Sequence, residues 1–457
     1  MNIYLHVESV VRELDSKIPL ATIAASRGHQ VLVSNLSSIT RGIRAGLLAP
    51  GIFHTKSLTP GEVKILRHQK IIDNGFYITS IDEEGGLVDV GYDKFAKMRY
   101  SDKTINQSSA VFGWGYEDTD TLKRIYSKYS SKIHKTGSPR ADMWKPFFSD
   151  YWAVPKGKPR KPFLLISSNL AVANNINQLH LLIKSHKNSG YYQRDPEMLD
   201  NHLTAFAEDG HMLSAYIKAI RKLANNNNDY DIVLRPHPNE NIKTWKICLE
   251  DIPNVHVIQE GSISAWVNHA FAVVHNGCTT ALEATISEKP VVTYIPFRQK
   301  HSREIVNELG HRVASPDELL EKVSSLFEAM RSNNQKDMSK KIPEIVSKKI
   351  NLDNDKLAAE RIVEIWESLN NDNISKPTNW IKFKWFLKVM KLRDIVRREV
   401  KKISPRRFGP YKSNHKFPPL DKNDIYERIK KLQLILGIDE KLECKLVAER
   451  TIVIKKI

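Results

Sequence analysis

Short apolar runs alternate with stretches of helical periodicity along most of the chain. Residues 3–7 are apolar, residues 12–27 carry apolar side chains at steps of three or four, and Gly28 precedes a second apolar run at 31–33. This order of strand, helix, glycine turn and strand is typical of a parallel α/β domain. The same alternation starts again at Phe163 and continues to about residue 370. The pattern therefore predicts two doubly wound α/β domains.

A basic, proline-rich stretch separates the two series. Residues 151–162 contain three prolines, one glycine and four Lys or Arg side chains, a composition typical of an interdomain linker. We therefore expect an amino-terminal domain over 1–150, a linker over 151–162 and a carboxyl-terminal domain over 163–370. We expect the two domains to face each other across a cleft, with ligand groups at the carboxyl ends of the strands.

The segment 371–457 has a different pattern. Apolar side chains recur every three or four positions from Ile381 to Ile403, and Lys and Arg fill much of the remainder. This predicts a basic amphipathic helix over 380–403. Two interpretations stay open: the helix lies in an anionic membrane interface, or it packs on the protein with a solvated basic face. Residues 424–457 predict one further helix and up to two strands.

Charge and cysteine content narrow the class of protein. Seventy Lys and Arg against 52 Asp and Glu give a net charge of +18, which favours nucleic acid, nucleotide-linked substrates or an anionic membrane as partners. Three widely spaced cysteines argue against a disulfide framework or a zinc knuckle. The first residues have no signal-peptide pattern, and no apolar run approaches the ~20 residues of a membrane span. We expect a cytoplasmic protein, with peripheral placement on the inner membrane left open.

The most distinctive loop follows the apolar run 232–234. Residues 235–240 read Arg-Pro-His-Pro-Asn-Glu, and helical sequence begins at about Asn241. Proline on each side of His237 restricts the backbone, so the imidazole is aimed without help from packing. Loops at strand ends are the usual carriers of ligand contacts. We expect His237 to contact a ligand; a rigid loop without one is the alternative.

A second strand-to-helix loop lies in residues 274–284. It places Gly277 in a turn and Thr279 and Thr280 at a helix start, where free N–H groups bind phosphate. Glu283 falls one turn into that helix, where its carboxylate can accept hydrogen bonds from ribose hydroxyls. Helix capping by Thr279 or Thr280 is the alternative, and it does not exclude a ligand.

Three carboxylates, Asp82, Glu83 and Glu84, follow the predicted strand 76–81. Like charges this close raise one another's pKa, and a carboxylate facing a cleft can act as general base or nucleophile. A solvated acidic turn is the alternative. Further cleft-facing candidates, with mutual salt bridges as the alternative, follow the first strand: Glu8, Arg12, Glu13 and Asp15.

Several kinds of site lack their sequence signatures. The histidines are scattered, and neither H-E-x-x-H nor a D-x-D loop is present, so we expect no metal site. There is no G-x-S-x-G elbow, no P-loop, and no G-x-G-x-x-G after the first strand. No motif with interleaved aromatic residues accompanies the positive charge, so we expect no nucleic-acid partner.

These motifs together resemble the bacterial surface carbohydrate biosynthesis proteins, a GT-B-type family found with lipopolysaccharide and capsule genes. The resemblance covers roughly residues 1–300 and rests on residues 7–8, 12–17, 81–86, 235–240, 261–266 and 275–284. It implies two Rossmann-like domains. A wider resemblance is to transferases that use CMP-activated ulosonic acids, which carry an acidic pair followed by glycine in one domain and a His-Pro motif in the other.

The wider resemblance implies roles for individual residues. A carboxylate among Asp82, Glu83 and Glu84 would act on the acceptor hydroxyl or on the sugar, and the extra carboxylate leaves the register open. His237 would bind the CMP phosphate and assist its departure. The implied nucleotide-binding residues are Arg235, Pro238, Glu240, Ser262, Asn276, Gly277, Thr279, Thr280 and Glu283.

The implied activity is transfer of a sugar in cell-surface polysaccharide synthesis. The donor would be a CMP-sugar carrying Kdo or a related ulosonic acid, and the acceptor a glycan or a lipid-linked glycan at the inner membrane, with no metal or other cofactor. The short motifs also occur in CDP-glycerol phosphotransferases and UDP-GlcNAc 2-epimerases, so those classes stay open. A non-catalytic scaffold for glycan assembly is a further alternative.

Overall fold

A computed structural model describes the chain except for residues 87, 89–90, 189–191, 193–196, 298–303, 333–342, 370–377 and 404–416. Within helices, the side chains of Glu304, Arg398 and residues 400–403 are also not described. The chain forms two compact units. Unit 1 comprises Met1–Met143 and Ser347–Ile457, and unit 2 comprises Trp144–Val346.

The chain alternates between strands and helices throughout. The strands are β1 (Asn2–His6), β2 (Gln30–Ser34), β3 (Ile52–Thr55), β4 (Tyr77–Ile81), β5 (Ala110–Gly113), β6 (Ile133–Lys135), β7 (Phe163–Ser167), β8 (Asp231–Arg235), β9 (Val255–Val257), β10 (Ala272–His275), β11 (Val291–Tyr294), β12 (His311–Val313), β13 (Leu442–Ala448) and β14 (Thr451–Lys456). The α-helices are α1 (Val10–Ser26), α2 (Leu36–Arg44), α3 (Glu62–Ile72), α4 (Tyr92–Arg99), α5 (Asp102–Asn106), α6 (Tyr116–Ile125), α7 (Pro139–Asp142), α8 (Leu179–Asn188), α9 (Met198–Asn225), α10 (Ile242–Leu249), α11 (Ile263–His269), α12 (Thr280–Ile286), α13 (Glu304–Asn307), α14 (Pro316–Arg331), α15 (Glu344–Lys349), α16 (Ala358–Leu369), α17 (Trp380–Ile403) and α18 (Lys422–Leu436). Two 3-10 turns cover Ser127–Lys132 and Pro146–Tyr151.

Unit 1 is built on an eight-stranded sheet of order β13-β14-β2-β1-β3-β4-β5-β6. The strands from β1 to β6 are parallel, whereas β14 runs antiparallel to β2 and to β13. The parallel strands are nearly continuous apolar runs because helices cover both faces of such sheets. The chain progresses in opposite directions on either side of β1, so the switch point of this sheet lies between β1 and β3.

Unit 2 contains six parallel strands in the order β12-β11-β10-β7-β8-β9. Numbered within the unit, this is the 3-2-1-4-5-6 order of the Rossmann fold, with its switch point between β7 and β10. Its core is an apolar cluster that includes Trp245 from α10 and Tyr216 from α9. The predicted pair of doubly wound, Rossmann-like sheets is therefore confirmed.

The carboxyl-terminal part of the chain is organised differently from the prediction. Helix α16 packs on α1 in unit 1 instead of closing the second domain, and unit 2 ends at Val346. The helix and two strands predicted within 424–457 are present as α18, β13 and β14, but the sequence did not indicate that the two strands add an antiparallel hairpin to the first sheet. The amino-terminal boundary of unit 2, at Trp144, precedes the linker expected at 151–162.

Trp366 explains why α16 belongs to unit 1. Its side chain is fully buried, its indole Nε1–H donates to Thr79 Oγ1 at 2.9 Å, and its ring meets His54 edge-on. Thr79 lies on β4 and His54 on β3, so the tryptophan covers the middle of the first sheet. Burial of one large aromatic side chain with its polar atom satisfied fixes the helix on that surface.

Among the described residues, no helix is both long and apolar enough to cross a bilayer.

Replacement of Trp366 by alanine should lower the free energy of unfolding by about 3–5 kcal/mol, because it removes a buried aromatic side chain and leaves a cavity. Urea unfolding of the full chain measures the change. Trp385→Ala is the matched control, since that tryptophan is 66% exposed and its loss should cost no more than about 0.5 kcal/mol. Equal stability of the two variants would contradict the assignment of α16 to the core of unit 1.

Candidate functional site

The switch point of unit 2 lies between the loops that follow β7 and β10. These loops are hydrogen-bonded to each other: the Asn169 backbone N–H donates to Asn276 Oδ1 at 2.9 Å, and the Asn169 side-chain amide donates to Gly277 O at 3.3 Å. Asn276 therefore lies at the switch point, as expected of a ligand-binding residue. Its side-chain oxygen, however, accepts a hydrogen bond from Asn169. Asn169 was not predicted as a site residue; its only sequence signal is a polar position directly after an apolar strand.

His275 sets the geometry of the turn after β10. Its Nδ1 accepts from the Gly277 N–H at 3.0 Å, so the neutral ring carries its proton on Nε2, which lies 2.9 Å from Thr293 Oγ1. The Thr293 hydroxyl in turn donates to Leu309 O. Burial lowers the pKa of His275 to about 4. The neutral ring thus holds Gly277 in its left-handed conformation, φ +86°.

The turn that follows presents unsatisfied donors. Within the described part of the chain, the backbone N–H groups of Cys278, Thr279 and Thr280 have no hydrogen-bond acceptor. The Thr279 side chain is exposed and does not cap the helix. Thr280 is buried, with its hydroxyl 3.1 Å from Ser167 Oγ. Of the two threonines, only Thr279 offers its hydroxyl to a ligand, and the amide of Gly277 is already used by His275.

Glu240 organises the loops after β7 and β8. Its buried carboxylate accepts from the Ser168 hydroxyl at 2.9 Å, the Leu170 N–H at 3.1 Å, the His237 N–H at 3.0 Å and Trp245 Nε1–H at 2.8 Å. These bonds position the neighbouring loops, and the implied contact of Glu240 with a nucleotide stays a prediction.

His237 lies on the loop where the sequence predicts it, partly exposed, with Pro238 exposed beside it. Its Nδ1 accepts from the Asn239 N–H at 3.2 Å, which places the proton of the neutral ring on Nε2. The carbonyl of His237 accepts from the side-chain amide of Gln259 at 3.0 Å. The loop is thus held by hydrogen bonds on both sides of the imidazole.

Arg235, implied as a nucleotide-binding residue, is hydrogen-bonded within unit 2. Its guanidinium is buried, donates to Gly261 O at 2.8 Å and to Glu260 O, and lies 5.5 Å from the ring centroid of Trp266. Burial lowers its pKa to about 10. A guanidinium with these partners secures the loop before α11, and its implied contact with a nucleotide stays a prediction.

The surroundings of Glu283 and Ser262 also differ from those expected of nucleotide-binding residues. The Glu283 carboxylate is buried and accepts from the Ser264 hydroxyl at 2.7 Å, so it joins α12 to α11, and its expected contact with a ribose stays a prediction. Ser262 occupies the N-cap position of α11 without a side-chain capping bond. The predicted residues that the structure places at the switch point are therefore Asn276, Gly277 and Thr279, with His237 on the strand next to β7.

The acidic residues after β4 in unit 1 are bound by cations that the sequence pattern did not indicate. Asp82 is buried and forms two bonds with Arg99, at 2.8 and 2.9 Å. Burial raises the pKa of Asp82, against the lowering effect of those bonds. Glu84 is 48% exposed and accepts from Arg99 Nη1 at 3.0 Å. Arg99 thus pairs with two of the three carboxylates.

Glu83 forms a buried ion pair with Lys17 of α1, with Nζ 2.5 Å from Oε1. Both side chains are almost fully inaccessible, and the Ser16 hydroxyl donates to the same oxygen at 3.4 Å. Two charges removed from water stay stable only when each satisfies the other. This pairing gives Glu83 a structural role, and its predicted catalytic role stays a prediction.

The candidates near β1 have specific partners of their own. Glu8 is at the switch point of unit 1, 43% exposed, and 2.6 Å from Lys56 Nζ. Its backbone N–H donates to Glu13, whose pKa is raised by burial. Asp15 pairs with Arg428 of α18, so it is not a free group in a cleft. Arg12 is exposed.

Among the described residues, no group of three or more His, Cys, Asp or Glu side chains could hold a metal ion.

No family model and no curated protein sequence matches the chain. Solved structures with a similar fold include S. aureus MnaA with UDP (15% identity, covering 83% of this chain and 98% of that chain, TM-score 0.47) and the UDP-GlcNAc 2-epimerase from Neisseria meningitidis bound to UDP-GlcNAc (12%, 81%, 100%, 0.44). The wall teichoic acid polymerase TagF is a third (10% identity, covering 80% of this chain and 88% of that chain, TM-score 0.45). At these values, function must be argued from the chain's own residues.

If Glu83 is structural, Glu83→Gln should destabilise the protein by about 3–5 kcal/mol, because it leaves Lys17 buried without its counter-charge. Joint replacement of Lys17 and Glu83 by Met and Leu should recover most of the lost stability. Urea unfolding measures the free energy of unfolding of each variant. The matched control Glu84→Gln removes an exposed carboxylate and should cost less than about 1 kcal/mol. Wild-type stability in Glu83→Gln would show that the ion pair does not support the fold.

The buried His275 predicts a pH dependence of stability. Because its pKa falls from about 6.5 in the unfolded chain to about 4 in the native one, its contribution is complete above pH 6.5 and is lost as the pH falls towards 4. At pH 5 this loss is about 2 kcal/mol relative to pH 7.5. His275→Gln should therefore show a smaller drop in stability between pH 7.5 and 5. Parallel pH profiles for variant and wild type would contradict this assignment.

Proposed function

We propose that the protein is an enzyme that acts on a nucleotide-activated sugar and that unit 2 holds the nucleotide at the carboxyl ends of β7 and β10. The observation that carries this proposal is the Rossmann strand order of unit 2, because ligands of such sheets bind where the strand order reverses. The groups at that point suit a phosphate ester, since N–H and hydroxyl donors outnumber charged acceptors.

The individual donors support this ligand class. Phosphate oxygens can accept from the N–H groups of Cys278, Thr279 and Thr280 and from the Thr279 hydroxyl. The end of β8, which carries His237, is separated from the end of β10 by two strand spacings, about 10 Å. One ligand must therefore extend over the end of β7 to contact both loops, as a nucleotide with a sugar attached can do.

We propose glycosyl transfer as the reaction. An acceptor hydroxyl attacks the anomeric carbon, its proton passes to a carboxylate, and the nucleotide phosphate leaves with the electron pair of the broken bond. His237 Nε2–H donates to the departing phosphate oxygen, which stabilises the charge that develops there. Asp82 and Glu83 are buried in their ion pairs, whereas Glu8 and Glu84 are 43% and 48% exposed beside Lys56 and Arg99, so we take these two exposed carboxylates as the candidate bases in unit 1.

The proposed donor is a CMP-activated ulosonic acid, which rests on the sequence resemblance alone. UDP-sugars and CDP-glycerol are the competing donors. The fold does not determine the donor class, because a switch-point site binds phosphate through backbone groups that do not distinguish one nucleotide base from another.

Isothermal titration of the full chain with CMP, CDP, UMP and UDP should show binding of at least one nucleotide. His237→Ala should weaken that binding about tenfold, the equivalent of one lost charge-assisted hydrogen bond. The matched control His256→Ala should leave it unchanged, because His256 lies on the edge strand β9 with its side chain 3.5 Å from Asp231 at the amino end of β8.

Two outcomes of this titration would change the proposal in different ways. Binding of uridine but not cytidine nucleotides would keep the site and replace the donor. Failure of all four nucleotides to bind a folded protein would overturn the proposal.

A further inference from the structure

Helix α17 is anchored on unit 1 by one of its faces. Phe383 is fully buried and Leu387 nearly so, and both join the apolar core of the unit. Phe383 packs so closely on α2 that a Cβ added at Gly42 would lie 2.5 Å from its ring. Gly42 is thus the position that allows the aromatic ring to enter the core.

Two ion pairs extend this attachment along the helix. Arg41 of α2 binds Asp394 with Nη1 2.8 Å from Oδ2, and Lys391 pairs with Glu449 between β13 and β14. The helix has 24 residues and is therefore about 36 Å long, with anchors near its start and beyond its middle. It is a fixed element of the surface of unit 1 over this length.

The opposite face of α17 carries a stripe of exposed apolar side chains. Their spacing of 4, 4, 3 and 4 positions places them within an arc of about 80°, roughly opposite Phe383. Each side chain is about half exposed or more. The stripe consists of Ile381 (77% exposed), Trp385 (66%), Val389 (49%), Leu392 (64%) and Val396 (62%).

Basic side chains border this stripe on both sides. Helical geometry places Lys384 and Lys388 along one edge and Lys382, Arg393 and Arg397 along the other. All five are exposed, and in the described part of the chain none of them pairs with a carboxylate. An apolar stripe between two rows of cations without carboxylate partners suits a partner that is apolar in its interior and anionic at its surface.

We propose that this stripe, defined by the five apolar residues above, lies in the interface of an anionic lipid membrane. The apolar side chains enter the acyl boundary, and the lysines and arginines extend to lipid phosphates. Unit 1 would then rest on the membrane through α17, with the opposite face of the helix still packed on the protein. The structure separates the two attachments by half a turn of the helix.

Other occupants fit the stripe less well. In a symmetric dimer the stripe would face its own copy, and the basic borders would meet like charges. Nucleic acid would pair with the cations but would not bury the five exposed apolar side chains. The net charge of +18 gives the whole chain a further attraction to an anionic bilayer.

Co-flotation of the full chain with lipid vesicles tests the proposal. We expect binding to phosphatidylglycerol–phosphatidylethanolamine vesicles and at least about tenfold weaker binding to phosphatidylcholine vesicles. The triple variant Ile381→Ser, Trp385→Ser, Leu392→Ser should bind the anionic vesicles at least about tenfold more weakly. Its unfolding midpoint should remain that of the wild type, because the three side chains are exposed.

A matched control separates the stripe from exposed apolar surface in general. Val63→Ser with Leu66→Ser removes two side chains of α3 that are 72% and 63% exposed, and vesicle binding should stay within about twofold of wild type. Equal vesicle binding by the stripe variant and the wild type would overturn the proposal. The proposal would also be overturned if the only effect of the stripe variant were loss of a dimer in sedimentation or loss of RNA binding.

Discussion

The buried carboxylate of Glu240 fixes the loops at the carboxyl edge of the second sheet, because it accepts hydrogen bonds from residues that follow two neighbouring strands. Ser168 and Leu170 come after β7, and His237 comes after β8. A carboxylate removed from water stays stable only while its oxygens keep such donors. The position of His237 is therefore tied to that of the β7 loop, which borders the switch point. The proposed nucleotide site depends on this bond set.

The same constraint explains which site residues could be predicted from sequence. The alternation of apolar and helical segments predicts both sheets, and the rigid Pro-His-Pro turn predicts where His237 lies. The pattern does not show whether a charged side chain after a strand faces solvent or a neighbouring loop. Glu83 pairs with Lys17, which lies on another element, 66 positions away in the chain. Such partners are set by tertiary packing, so a single sequence contains no local signal for them.

The carboxyl-terminal return of the chain to unit 1 could not be predicted for a related reason. Helical periodicity identifies α16 as amphipathic, but it does not identify the sheet against which its apolar face packs. Trp366 selects the first sheet through its contact with Thr79. The hairpin of β13 and β14 then covers β2, which would otherwise be an exposed edge of the parallel strands. The first sheet is thus completed by residues more than 400 positions from its start.

Helix α17 has apolar side chains on two opposite faces, whereas its sequence pattern was interpreted as a single apolar face. The sequence pattern offered membrane contact and packing on the protein as alternatives for a single apolar face from Ile381 onward. The structure shows that packing uses Phe383 and Leu387, which lie on the other side of the helix. The two attachments therefore do not compete for the same side chains. A helix already held by its own core loses little further conformational freedom when its exposed face meets a second surface, so a short apolar stripe suffices for binding.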